Sequence, residues 1–295
     1  MSVHSYFVNR LPAGRQVLRT FYTFMGTVIK LGFSPCPNDT FIFAAMVQDM
    51  IDTEGLEFDY RMEDVERLNH LALDGAMNMV KVSYHAFLHL SPTYRLLDSG
   101  SALGFGNGPL LISKKNYTIH DLDDLTVAIP GEYTTAHLLL KLLAPWIQRK
   151  KILVFNEIED AILKDEVDAG VIIHENRFTY ERKGLQKIAD LGEAYENLTH
   201  YPIPLGGIIA QKKLGKETLD KLNRVMHRSV AYAMENPGAV MDFVRCNAQE
   251  MEDEVMLKHI HLYVNNYTLD LGSEGKKAIA RLFELAHENN LIRHA

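Results

Sequence analysis

Two cysteines in 295 residues, Cys36 and Cys246, are too few for a disulfide framework, so the chain can fold in a reducing compartment. No apolar run is long enough to cross a bilayer, which excludes a helical membrane span. There is no excess of positive charge. The formal net charge is −7, which argues against a nucleic-acid surface. It does not argue against a small anionic ligand, because a cleft can be locally positive on an acidic protein. The first 24 residues, MSVHSYFVNRLPAGRQVLRTFYTF, lack the compact apolar segment and small-residue cleavage site of a secretory signal. They are basic and contain no acid, as transit peptides are. The reading adopted is a non-core extension over 1–24, ahead of a natural start at Met25, contributing nothing to chemistry. A cytoplasmic location is expected.

Several catalytic signatures are also missing. There is no GxSxG elbow. The glycines of GFGNGP (Gly104, Gly106, Gly108) are followed by Pro109 and a strand rather than a helix, so they form neither a dinucleotide fingerprint nor a P-loop. HENRF lacks the second histidine of a zinc-protease helix. His259 and His261 are two apart on a helix, on different faces, and make a poor metal pair. No metal or redox cofactor is expected. Heptads, internal repeats and low-complexity segments are absent.

What is present is ordinary globular composition, with 47% hydrophobic and 23% charged residues, in a strand–helix alternation. VIKLGFS, LEFDYRM, MNMVKVS and PLLISKK read as strands; DTFIFAAMVQ, DVERLNHLALDG and YHAFLHL read as the helices between them. LTVAIP, KILVFN and AGVII repeat the theme with TTAHLLLKLLAPW and IEDAILKDEVD. After IPLGGIIAQKK the apolar spacing is helical to the end. This predicts an α/β fold with mostly parallel pairing. One α/β unit is inserted in another, giving two lobes around a cleft and a helical C-terminal segment. Residues 25–116 and 202–295 would form the first lobe and 117–201 the second, with PLLISKK and LGGIIAQKK crossing between them.

In open α/β sheets ligands sit beyond the carboxyl ends of strands, where helix N-termini point. Four junctions qualify. In SPCPNDT, Asn38 or Asp39 can cap the next helix, though a capped turn does not explain why Ser-Pro-Cys-Pro precedes it. Cys36 between prolines reads as a packed small residue rather than a nucleophile. In KVSYH, Ser83 can hold a ligand oxygen and Lys81 can add charge; taken alone, the segment reads as an N-cap serine beside a solvated lysine. In PGEYTTAH, Thr134 and Thr135 open an apolar helix, serving equally as a cap or as a carboxylate cradle. In IIHENRFTY, His174 ends an apolar strand and can reach into a cleft as a titratable group. Glu175, Asn176 or Arg177 would orient its ring or pair with a ligand carboxylate.

Together LGFSPCPNDTFIF, EDVERLNHLAL, KVSYHAF, GNGPLLI, IIHENRFTY, IPLGGIIA and RSVAYAMENP resemble the 1,4-dihydroxy-6-naphthoate synthase family of the futalosine route to menaquinone. The resemblance runs from about Val28 to the end. It implies the two-lobed fold of type II periplasmic binding proteins turned to catalysis. It also implies a lyase that takes cyclic dehypoxanthine futalosine, a small anionic substrate, to 1,4-dihydroxy-6-naphthoate. By the same resemblance His174 is the proton acceptor, and substrate contacts fall on Lys81, Val82, Ser83, Thr135 and Ala136. No cofactor, nucleic acid or membrane is implied, and the chain would act as a monomer or homodimer. Two other readings share the architecture: a chorismate dehydratase of the same pathway, against which SPCPNDTF argues, and a non-catalytic solute-binding protein, which would call for export.

Overall fold

A computed structural model describes residues 27–248 and 252–292; the expected extension over 1–24 lies outside them. The chain opens with β1 (Thr27–Phe33), α1 (Pro37–Val47), β2 (Leu56–Met62), α2 (Val65–Leu73), β3 (Met79–Ser83) and α3 (Tyr84–Leu90), then β4 (Tyr94–Leu96) and β5 (Ala102–Gly104). The second unit holds β6 (Leu110–Ser113), β7 (Val127–Ile129), α4 (Thr135–Leu143), β8 (Lys150–Ile152), α5 (Ile158–Leu163), β9 (Ala169–Ile172), β10 (Gln186–Asp190) and α6 (Leu191–Thr199). The chain returns through β11 (Ile203–Gln211) and ends in α7 (Gly215–Glu235), α8 (Pro237–Asn247), α9 (Asp253–Tyr263), α10 (Asn266–Leu269) and α11 (Gly272–Glu288).

Local chemistry explains the starts. Asp64 caps α2, its carboxylate accepting from the N–H groups of Glu66 and Arg67. Pro37 occupies the first turn of α1, where its missing N–H costs nothing. The apolar run FIFAAM is buried all round in α1, because α7, α8 and α9 cover the side turned away from the sheet.

The strands form two sheets of the same design. The first has the order β2-β1-β3-β11-β4, with β5 also on β11; the second, read from its far edge, runs β8-β7-β9-β6-β10. In each, three strands are parallel and the fourth, β11 or β6, is antiparallel. The expectation of mostly parallel pairing is therefore corrected to mixed sheets. The physical reason is that β6 and β11 are the segments that pass between lobes. They enter each sheet without a helical crossover, so nothing forces them parallel. PLLISKK supplies β6, which pairs with β9 and β10, so the crossing falls in residues 105–109, before β6.

A single apolar cluster runs through both lobes, from Leu68, Val82 and Tyr84 to Leu111, Ile129 and Leu139. The C-terminal helices span the same divide: α9 packs on α1 and on the turn after β9, and α11 packs on β11 and α4.

Candidate active site in the interlobe cleft

Both sheets change winding direction at the middle of their three parallel strands, β1 in one and β7 in the other. Such switch points leave a crevice beyond the carboxyl ends of the strands. The ends of β1, β3, β7 and β9 are the four junctions singled out in the sequence. They meet in one cleft of about 690 Å³, partly open to solvent. All six predicted residues line it: Lys81, Val82 and Ser83 from the first lobe, and Thr135, Ala136 and His174 from the second.

Lys81 is not solvated. It lies in the fully buried β3 and donates to Asp39 Oδ1 at 3.0 Å and to the Gly100 carbonyl at 3.0 Å. Asp39 is not a helix cap either. Its Oδ2 accepts from the Ser34 N–H (3.2 Å) and hydroxyl (2.8 Å), and its Oδ1 also accepts from Asn38 Nδ2 (3.0 Å). The SPCPNDT turn thus builds a polar hub that neutralises a lysine in the sheet centre. A buried ion pair persists only when such additional hydrogen bonds complete it.

Ser83 is the N-cap residue of α3 yet makes no capping bond through its side chain. Asn69 of α2 grips it instead, accepting from the Ser83 N–H (2.9 Å) and donating to its hydroxyl (3.3 Å). Asn69 also donates to Glu66 Oε2 (3.0 Å), and both Glu66 oxygens accept from the N–H of Tyr133 in the opposite lobe (3.0 and 3.2 Å). Gly131 permits this approach: its φ is +153°, and a Cβ there would stand 2.4 Å from the Glu66 carboxyl carbon.

Thr134 caps α4, accepting from the His137 N–H, so it takes the structural role open to it in the sequence. Thr135 follows at the first helical position and donates its hydroxyl to the Leu205 carbonyl of the first lobe at 2.6 Å. The leading N–H groups of α4, at Thr135 and Ala136, have no carbonyl one turn back within the helix and sit on the cleft wall. They are suited to a carboxylate or other oxyanion. Behind them, His85 faces the Thr134 carbonyl through Nδ1 (3.1 Å) and His137 faces the Glu132 carbonyl (2.9 Å). Burial pushes both imidazoles down, His85 to about 3 and His137 to about 4, so both are neutral near pH 7.

His174 has φ +58°. The left-handed region is uncommon for a non-glycine residue, though histidine is among those enriched there; a surrounding structure must hold it. Asn176 and Arg177 supply part of that support. Asn176 Nδ2 donates to Oε2 of buried Glu159 at 2.6 Å, and Lys183 donates to the same oxygen at 2.8 Å. Arg177 donates to the Gly108 carbonyl (2.9 Å) and faces Asp190 at 3.9 Å.

The ring of His174 has aromatic neighbours on two sides. Phe155 meets it edge-on at 5.1 Å, and His259 of α9 lies parallel to it, 6.1 Å away with 9° between planes. His259 is fully buried and faces Asn38 Oδ1 through Nε2 at 2.9 Å. Because Asn38 uses its nitrogen on Asp39, the imidazole is the donor. Burial, then the neighbouring His174 and Arg177, hold His259 well below the usual histidine range. Sequence reading weighed His259 only as a poor metal partner of His261, which misses its place beside His174. Its partner Asn38 is 221 residues away, and no local pattern encodes that contact. Glu66 was missed for the same reason, since it meets Tyr133 across 67 positions.

Among the described residues no cluster of His, Cys, Asp or Glu could hold a metal ion, and no helix is long and apolar enough to cross a membrane.

Residues 29–288 match the family model described as menaquinone biosynthesis. The chain is 43% identical over 263 residues to a Thermus thermophilus protein named 1,4-dihydroxy-6-naphtoate synthase, covering 89% of this chain and 95% of that one. A solved structure from Archaeoglobus fulgidus superposes with a TM-score of 0.85 at 32% identity, over 92% of this chain and all of that one. A Candida albicans protein described as having the generic periplasmic binding protein fold gives a TM-score of 0.67 at 13% identity, over 91% and 92% of the two chains, and bears on the fold alone. The shared fold is therefore that of periplasmic binding proteins, and the identity carried along nearly the whole chain decides the rest: this chain belongs to the menaquinone-biosynthesis family, among its 1,4-dihydroxy-6-naphthoate synthases.

Proposed function

We propose that the interlobe cleft is the site at which this lyase converts cyclic dehypoxanthine futalosine to 1,4-dihydroxy-6-naphthoate, with His174 as the general base. The observation that carries the reading is the convergence, from both lobes, of the six residues implied by the family resemblance. The curated relatives are named for this product, which favours it over a chorismate dehydratase.

In this reading the neutral His174 imidazole removes a proton from a hydroxyl of the sugar-derived part. The carbon–carbon bond to the ring then breaks in a retro-aldol-like step, and aromatisation of the naphthoate draws the reaction forward. A base so placed is worth ~10² to 10⁴ in rate. The held backbone at His174 and the aromatic neighbours on two sides of its ring fix the direction of approach. Ser83 and the α4 terminus at Thr135 and Ala136 hold substrate oxygens, and Lys81 with Val82 forms the first-lobe wall. The contacts between lobes keep water from the reacting carbon. The enzyme is taken to act in the cytoplasm, as a monomer or homodimer.

His174→Asn tests the assignment. Asn tolerates the left-handed backbone and cannot take the proton. The variant should melt like the parent and bind substrate, while turnover falls by ~10² or more. In the parent, kcat/KM should fall at acid pH as one group takes up a proton from solvent. Near-parental turnover in the variant would remove His174 from the chemistry.

A further inference from the structure

The glycine-rich segment GFGNGP matches no phosphate-binding motif, and the mechanism above makes no use of it. In the fold it forms the crossing between the lobes and one wall of the cleft. Asn107 sits at its centre, 1% exposed. Neither Nδ2 nor Oδ1 of its side chain meets a hydrogen-bond partner among the described residues. Buried amides are ordinarily satisfied, and an exception calls for an explanation.

The surroundings hold this amide firmly in place. Glu196 of α6 accepts from the Gly106 N–H at 2.8 Å, and Arg177 donates to the Gly108 carbonyl at 2.9 Å. Gly108 and Gly192 pack backbone to backbone: a Cβ on Gly108 would lie 2.3 Å from the Gly192 Cα. Gly104 leaves the room the amide occupies, since a Cβ there would stand 2.9 Å from Asn107 Nδ2. The neighbouring amide, Asn265, is engaged at both ends, donating to the Leu103 carbonyl (2.9 Å) and accepting from the Tyr267 N–H (2.9 Å). The segment thus spends its glycines on presenting one unsatisfied amide at a wall shared with His174, Ser83 and Thr135.

We infer that Asn107 is a substrate-contacting residue that reads a hydroxyl-bearing part of the ligand. An amide with both ends open is complemented by groups that accept and donate. A carboxylate would satisfy the nitrogen and leave the oxygen bare. A hydroxyl, or a pair of them, satisfies both. Under the function proposed above, on which this inference rests, that part is the sugar-derived fragment rather than the naphthoate carboxylate. Asn107 would then fix the fragment from which His174 takes its proton.

The test uses the full-length enzyme and Asn107→Leu, which has the same branching and no polar atoms. Three quantities are measured: melting temperature without ligand, KM and kcat for cyclic dehypoxanthine futalosine, and Kd for 1,4-dihydroxy-6-naphthoate, which lacks the sugar-derived part. The variant should melt no lower than the parent, because two unpaired buried polar atoms are gone. KM should rise about tenfold to a hundredfold, the loss of one or two hydrogen bonds. Product Kd should stay unchanged. Asn107→Ala, which asks for no extra room, should repeat the KM rise and guards against misfolding of the leucine variant. A lower melting temperature with unchanged KM would make Asn107 a structural residue and overturn the inference. An equal loss for substrate and product would place the contact on the naphthoate and overturn the hydroxyl assignment. If the parent neither binds nor turns over cyclic dehypoxanthine futalosine, the proposed function fails, and this inference with it; parental turnover with unaltered Asn107 variants sinks the inference alone.

Discussion

Acid should loosen this protein well before its carboxylates are protonated, and two histidines at the lobe interface set the size of the effect. His85 on α3 and His137 on α4 are 2% and 8% exposed, with ring centroids 6.1 Å apart. Burial holds them at about 3 and about 4 in the folded state, with Lys141 disfavouring a further positive charge on either. In the unfolded chain each would titrate near 6.5. Both folded values lie below the unfolded one, so below about pH 6.5 the unfolded chain binds the extra protons. Their contribution is complete above that pH and is lost as pH falls toward 4 and then 3. The slope is about 1.4 kcal/mol per pH unit for each group. Between pH 6.5 and 5 each costs about 2 kcal/mol, and the pair about 4 kcal/mol, a large part of a typical folding free energy of about 5–15 kcal/mol. His259, also held low by burial, acts in the same direction. Urea unfolding at constant ionic strength, at pH 7.5 and 5.0, reads the loss directly. His137→Gln removes one proton site, so its stability should fall about 2 kcal/mol less over the same interval, whatever its value at pH 7.5. Equal stability of the parent at both pH values would refute the reasoning.

Two further outcomes follow from contacts in the cleft. Ser83→Ala should weaken substrate binding by about 1–3 kcal/mol if a substrate oxygen loses its donor, whereas Thr135→Ala keeps the α4 N–H groups and loses only the bond to the Leu205 carbonyl, so it should change affinity less; isothermal titration against the His174→Asn background reads binding without turnover, and unchanged affinity in Ser83→Ala would leave that hydroxyl structural. Glu66→Ala removes the carboxylate that Tyr133 N–H reaches across the lobes, a charge-assisted contact worth about 1.5–3 kcal/mol. KM should rise about tenfold or more as the closed form becomes scarcer, with less change in kcat under saturation, and small-angle scattering should show a more open particle; a parental KM would show that other contacts hold the lobes together.

Much of the architecture was legible because it is local. The runs VIKLGFS, MNMVKVS and AGVII became β1, β3 and β9, and the helical spacing after IPLGGIIAQKK became the C-terminal helices. The position of His174 at the cleft was legible because a polar residue at the end of a buried strand has few structural reasons to be there. The direction of β6 was not, since a short apolar run looks the same parallel or antiparallel; only its partners β9 and β10 settle it. Lys81 looked solvated because its flanking sequence does not reveal that β3 is central, with β1 and β11 on either side.

The sequence by itself determined which residues end strands and open helices, and so which side chains could reach a cleft. It also carried the family resemblance, because motifs are contiguous. Only the tertiary structure decided how those side chains are used. Asp39 turned from a helix cap into the partner of Lys81, Asn176 and Arg177 took up bonds to Glu159 and the Gly108 carbonyl, and His259 came to lie beside His174. The physical reason is range. Capping and periodicity act over one turn or a few residues of strand, whereas Asp39 meets Lys81 across 42 positions and His259 meets Asn38 across 221, distances at which only the packed fold brings the groups together.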